Sequence, residues 1–220
     1  MGNRRPLVTD LPGIVPVFPL SGALLLPGGR LPLTVFEPRY LAMTDDALAA
    51  GRLMGMIQPC ETACGPVAGL FSTGCLGRIT SFAESGDGRY LVTLLGVCRF
   101  RLTGEDDGKS GYRRVRVDYR PYGDDLDEGP ASAPIERARL LAAVKAMFGG
   151  HGIAVNWSAL EGADDHMLVT TLAMTCPLSP EEKQALLEAP TLAERCDMMT
   201  AMIEMALLAE RNGGGSAPIH

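Results

Sequence analysis

The sequence predicts an α+β protein, with an antiparallel sheet or small barrel in its first half and a bundle of three to four helices in its second. Three observations carry this. Apolar residues recur with period two from residue 14 to about 122. They recur with helical period from residue 135 onward. Between the two lies "GDDLDEGPASAP", residues 123–134, an acidic run rich in Gly, Pro and Ser that reads as a mobile linker. The expected organisation is therefore a β-rich domain over 12–122, a linker over 123–134, helices over 135–211 and a disordered tail, "NGGGSAPIH", over 212–220.

The β half can be read element by element. "IVPVFPL" is a short strand, and Pro16 and Pro19 mark it as an edge or bulged one. "ALLLPGGRLPLTVF" holds two apolar runs around a Pro27-Gly28-Gly29 turn. "LMGMIQP", "GCLGRITSFAE", "RYLVTLLGVCRFRL" and "GYRRVRVDYRPY" follow, broken by "SGDG" at 85–88 and "GEDDGKSG" at 104–111. In the helical half, Ile135, Ala138, Leu141, Val144 and Phe148 form one stripe, stopped by "GGHG" at 149–152. "ADDHMLVTTLAMT" is a second helix ended by Pro177. Ser179-Pro180-Glu181-Glu182 and Thr191-Leu192-Ala193-Glu194 are capping boxes that open two more.

Bulk properties narrow the function. A net charge of -6 argues against an electrostatic nucleic-acid or membrane binder. Six scattered cysteines do not form a disulfide framework and fit reduced thiols in the cytoplasm. Prolines break the apolar stretch near the N-terminus, so it does not read as a signal peptide, and no apolar run is long enough to span a membrane.

The stretch "LTVFEPRYLAM", 33–43, interrupts an apolar pattern with two charges and a proline. Proline suits the first turn of a helix, which makes Pro38 the first helical residue and Glu37 the N-cap, facing the positive end of the helix dipole. Phe36 and Leu41 then fall at the two positions of a hydrophobic staple. Arg39 is a cation at the unfavourable end of the dipole, so it needs a carboxylate partner, Glu37 or one from another strand. A ligand-anchoring role for Arg39 is the alternative.

These residues carry a resemblance. "VPVFPLSGALLLPGGRLPLTVFEPRYLAM", with "GRLMGMIQP", "GCLGRITSF" and "GRYLVTLLGVCRF" behind it, resembles the N-terminal, substrate-binding domain family of Lon protease. Stand-alone bacterial members that lack the ATPase and protease domains are the most similar. The resemblance covers residues 12–122 sharply and the helical half in layout. It implies a PUA-like β-barrel followed by a helical bundle, and a module that recognises protein substrates or partners, with a separate protease as one such partner, without catalysing.

Motifs that would carry chemistry are few. "GEDDGKS" at 104–110 has one residue too few for a phosphate loop, and its acidic residues would repel phosphate. Ser179 is occupied as a helix cap, and His151, His166 and His220 have no identifiable triad neighbours. No enzyme, cofactor or metal is expected. Cys60 and Cys64, with Cys75, lack a fourth zinc ligand and read as loop thiols, with a Cys60–Cys64 disulfide as the lesser alternative. Partner-binding candidates are Phe36, Glu37, Arg39 and Tyr40 at the strand-to-helix corner, and Met198 and Met205 on the last helix, where Met199, Met202 and Ile203 read as core. The rival reading is an RNA-binding face made of Arg99, Arg101, Arg114 and Arg116.

Overall fold

The computed structural model describes residues 7–62, 64–109, 111–127, 134–149 and 157–213. Half of the expected linker (128–133), the "GHG" of the helix stop with His151, and the tail from residue 214 with His220 lie outside the described residues. Six strands are present: β1 (Ile14–Pro19), β2 (Arg30–Val35), β3 (Leu53–Pro59), β4 (Leu70–Glu84), β5 (Tyr90–Lys109) and β6 (Tyr112–Asp118). Helix α1 (Pro38–Ala49) lies between β2 and β3 in sequence, and Arg120–Leu126 form a 3-10 turn after β6. Helices α2 (Arg137–Gly149), α3 (Trp157–Gly162), α4 (Asp165–Thr175), α5 (Pro180–Glu188) and α6 (Leu192–Gly213) complete the chain.

The strands form one six-stranded sheet in the order β2-β5-β4-β3-β1-β6, with β5 also pairing β6. This overturns the expected PUA-like antiparallel barrel: the fold is a mixed sheet with helices, because β1 and β3 run parallel. Parallel neighbours need a crossover, and β2 and α1 supply it here. β1 is also interior rather than an edge. Its ladder with β6 covers residues 14–17 and its ladder with β3 covers 17–19, so the two overlap only at Val17. Pro16 and Pro19 each lie where only one neighbour pairs, which lets an interior strand carry two residues without N–H groups. The true edge is β2, paired only with β5 and carrying the exposed Pro32.

The "GEDDGKSG" segment, read as a break between strands, is largely strand. β5 runs on to Lys109, with Glu105 opposite Val115 and Asp106 opposite Arg114. Carboxylates are tolerated there because they meet the arginines of β6. The sheet core is built on Phe100, which packs among Val15, Val17, Ile57, Leu76, Cys98 and Val115. Gly55 and Gly74 flank the Phe100 ring, and a Cβ at Gly74 would collide with it. Glycine is needed there for close approach.

The chain divides into two compact units. The first comprises residues up to Gly129 together with Met174–Glu188; the second comprises Pro130–Ala173 and Ala189 onward. Helix α5 therefore packs with the sheet, and beside its buried Leu186 and Leu187 it makes several polar contacts. The Gln58 amide donates to the Pro180 carbonyl (2.8 Å), the Gln184 amide to the Thr73 carbonyl (3.1 Å) and Lys183 to the Gly22 carbonyl (2.8 Å). Both capping boxes form as the spacing predicts: Ser179 with Glu182, and Thr191 with Glu194. In the second unit the buried face of α2 is Leu140, Val144, Met147 and Phe148, rotated from the predicted stripe, with Ala138 exposed. It packs against α6, whose buried residues include Cys196, Met199 and Ile203. Met202 is half-buried.

Arg99 is the polar centre of the first unit. It is 5% exposed, its guanidinium donates to both Asp125 carboxylate oxygens (2.9 and 2.8 Å) and to the Leu187 carbonyl (3.1 Å), and it stacks over Tyr122. Truncating it leaves the Asp125 carboxylate buried without its partner. Arg99→Ala should therefore lower unfolding stability by roughly 3–5 kcal/mol, read from the midpoint of a urea titration. An unchanged midpoint would show that the pair does not hold α5 and the 3-10 turn in place.

Candidate functional site

The strand-to-helix corner forms because β2 ends at Val35 and Pro38 opens α1. Glu37 is the N-cap, with extended backbone and no side-chain capping bond. Its carboxylate instead accepts two hydrogen bonds from Arg39, at 3.0 and 2.7 Å. That pairing gives Arg39 the partner its position demands and raises its pKa. The pair is solvent-exposed on both sides.

Tyr40 and Phe36 have opposite fates. Tyr40 is 6% exposed, its ring centroid 4.2 Å from that of Phe18 and 4.6 Å from the Arg39 guanidinium carbon. Burial pushes its phenol pKa up. Tyr40 is thus a core residue and not an exposed contact. Phe36 is 64% exposed, so whatever staple it makes with Leu41 leaves most of the ring in solvent. A large aromatic held in water next to a fixed ion pair is the main exposed apolar feature of this corner. On α6, Met205 is 70% exposed and Met198 half-buried.

The arginine face is not the open cationic patch the alternation predicts. β5 and β6 do pair, but Arg99 is buried against Asp125. Arg114 and Arg116 share Asp106 (3.3 and 3.7 Å), and Arg113 holds Glu105 (2.6 Å). Arg101 stands opposite Asp118, whose pKa is lowered to about 2, chiefly by its hydrogen bond from Arg120. The missed element is Asp125. It lies inside the acidic run read as linker, and only its position in a 3-10 turn beside β5 shows its role.

Cys60 and Cys64 are joined as a disulfide, with Cα atoms 6.2 Å apart, where loop thiols were expected. Cys75 sits apart from them in the core, opposite Arg99 of β5. Cys75, Cys98, Cys176 and Cys196 are free and buried, and burial raises each thiol, Cys98 to about 12 and Cys176 to about 11. Among the described residues no group of three or more His, Cys, Asp or Glu could hold a metal ion. No helix among them is long and apolar enough to cross a membrane.

The sequence matches the ATP-dependent protease La (LON) substrate-binding domain over residues 14–205. The chain belongs to this family. It is 30% identical over 111 residues to Lon protease 2 of Myxococcus xanthus, half of this chain but 13% of that protease. It is 24% identical over 206 residues to a Lon protease of Roseiflexus castenholzii, 89% of this chain and 24% of that one. The chain thus spans between about an eighth and a quarter of these relatives' length. In fold it is similar to a Lon N-terminal domain protein from Xanthomonas campestris (TM-score 0.60, 23% identity, covering 86% of this chain and 97% of that one). The N-terminal domain of a Mycobacterium avium complex Lon protease is similar to the same degree (TM-score 0.60, 18% identity, covering 87% and 98%). What the chain shares with these proteases is their substrate-binding domain.

Two measurements follow for this Lon-type domain. Tyr40→Ala should cost about 3–5 kcal/mol of unfolding stability, whereas Phe36→Ala should change it by no more than about 0.5 kcal/mol. Equal losses in urea titrations would mean that Phe36 is packed. For the thiols, intact mass after iodoacetamide treatment of the folded protein should show no adduct without reductant and two with it, at Cys60 and Cys64.

Proposed function

We propose that this domain captures exposed apolar segments of unfolded protein chains or of a dedicated partner, with Phe36 as a primary anchor. The observation that carries this reading is the 64% exposure of Phe36 beside the Glu37–Arg39 pair. An aromatic that stays in water in the unbound state gives its full burial to a partner. Glu37 and Arg39 then form the polar rim, and Met205, with its polarizable and adaptable side chain, is a second contact point on the helical unit. Tyr40 acts by seating the corner rather than by touching the partner.

The domain works without ATP in the cytoplasm and hands its cargo to a separate protease; membership of the Lon substrate-binding family supports this. RNA binding is the weaker reading. Of its four arginines, Arg99 is buried, and Arg114 and Arg116 share one carboxylate.

Fluorescence anisotropy of a labelled unfolded polypeptide and a single-stranded RNA, across a salt series, tests the proposal. Saturable polypeptide binding that persists at high salt and weakens about fivefold or more in Phe36→Ala is the expected result. RNA binding alone, fading with salt, would overturn it.

A further inference from the structure

The uncovered side of the β2-β5-β4 end of the sheet has a composition unlike the rest of the surface. Residues directly opposite one another on paired strands point to the same face. The register therefore places Arg30, Leu95 and Arg78 in one row across the three strands, and Thr34, Leu91 and Ala83 in another. Thr93 stands between them, paired with Pro32 on one side and Ser81 on the other. Arg30, Arg78, Thr34 and Ala83 are exposed, and Leu91 is 48% exposed.

The cations here differ from most of those elsewhere; the exposed Arg101, opposite Asp118, is an exception. Arg39, Arg89, Arg113, Arg114, Arg116 and Arg120 each lie against a carboxylate. Among the described residues, Arg30 and Arg78 make no ion pair, and the Arg78 guanidinium reaches only the Gly51 carbonyl (3.3 Å). Arg52, next to it, is exposed and also without an ion pair, and its carbonyl accepts a hydrogen bond from the Ile79 N–H. The segments 30–34, 78–83 and 91–95 contain no Asp or Glu. In a chain of net charge -6, two unneutralised arginines in one row of an open sheet face, with the exposed Arg52 just before β3, stand out as an unmet electrostatic demand.

We infer that this face is a second docking surface, and that its occupant is an acidic polypeptide segment whose carboxylates meet Arg30 and Arg78 while small apolar side chains lie over Leu91 and Ala83. Charge complementarity selects an anionic partner. The face itself selects protein over nucleic acid, because it presents no aromatic ring on which a base could stack. Its other end offers leucine, alanine and threonine, which suit side-chain packing. The inference rests on the protein-binding reading above but uses a different surface from the Phe36 corner.

The test compares three fluorescein-labelled probes by anisotropy at low and high salt: a peptide pairing a run of aspartates with a Leu/Ala segment, the same peptide with asparagines, and an oligouridylate. The native protein should bind the aspartate peptide in preference to the asparagine one, and high salt should weaken that binding. The double variant R30E/R78E, with its fold checked by its urea midpoint, should lose about tenfold or more of the affinity for the acidic peptide. The same variant should still bind the neutral unfolded polypeptide, whereas Phe36→Ala should show the reverse pattern. Equal binding of the acidic peptide by native protein and R30E/R78E overturns the inference. So does capture of the neutral polypeptide without the acidic one, which leaves the first reading intact, and so does preference for oligouridylate. Failure to bind any polypeptide overturns both.

Discussion

Arg99 sits where the sheet, the 3-10 turn after β6 and the last turn of α5 must all agree. A guanidinium this deeply buried is tolerable only when its donors are met, and they are met from different parts of the chain: the Asp125 carboxylate and the carbonyl of Leu187. Tyr122 closes the remaining side with its ring. Each partner lies more than 20 residues from Arg99 along the chain, so satisfying one charge fixes long-range geometry that apolar packing alone would leave looser. The amides of Gln58 and Gln184 extend the same logic along α5. They add directional bonds to the burial of Leu186 and Leu187, and a helix placed that way has one seating rather than several.

Charge pairing also separates the surfaces by task. On the β5–β6 ribbon the acidic residues that interrupt the β5 pattern are opposite or beside the arginines of β6, so the ribbon is close to neutral despite its arginine content. At the corner the Glu37–Arg39 pair does the same locally and leaves an aromatic ring as the exposed feature. The β2-β5-β4 face, by contrast, carries Arg30 and Arg78 without ion pairs among the described residues. Neutral apolar corner and cationic sheet face are therefore chemically distinct surfaces on one unit.

What the sequence disclosed was whatever is encoded within a few residues. Pro38 opening α1, the capping boxes at Ser179 and Thr191, and the change of period after the acidic run all concern neighbours in the chain, and all appear in the structure. The misreadings concern pairings at long separation. β1 looked like an edge because it holds two prolines, yet two partial ladders meeting at Val17 accommodate both. The parallel β1–β3 pairing that rules out the antiparallel barrel leaves no local mark. Glu105 and Asp106 looked like a turn because their arginine partners on β6 could not be paired with them in advance. Of the proposed corner, the pairing of Arg39 was legible. The split between a buried Tyr40 and an exposed Phe36 was not, since it depends on Phe18 lying beneath one ring and nothing covering the other.

Pro32 has a bearing on safety as well as on shape. β2 is the open end of the sheet, and an open strand is a template onto which an unfolded chain can add itself and from which aggregates grow. Proline is found in strands where its missing donor faces away from the ladder, so the gap at Pro32 falls on the open side. The neighbouring Arg30 adds a charge to the same edge. Under the proposed function the domain meets unfolded polypeptide more often than most proteins do. The free edge at β2 would then keep cargo held by side chains rather than absorbed into the sheet.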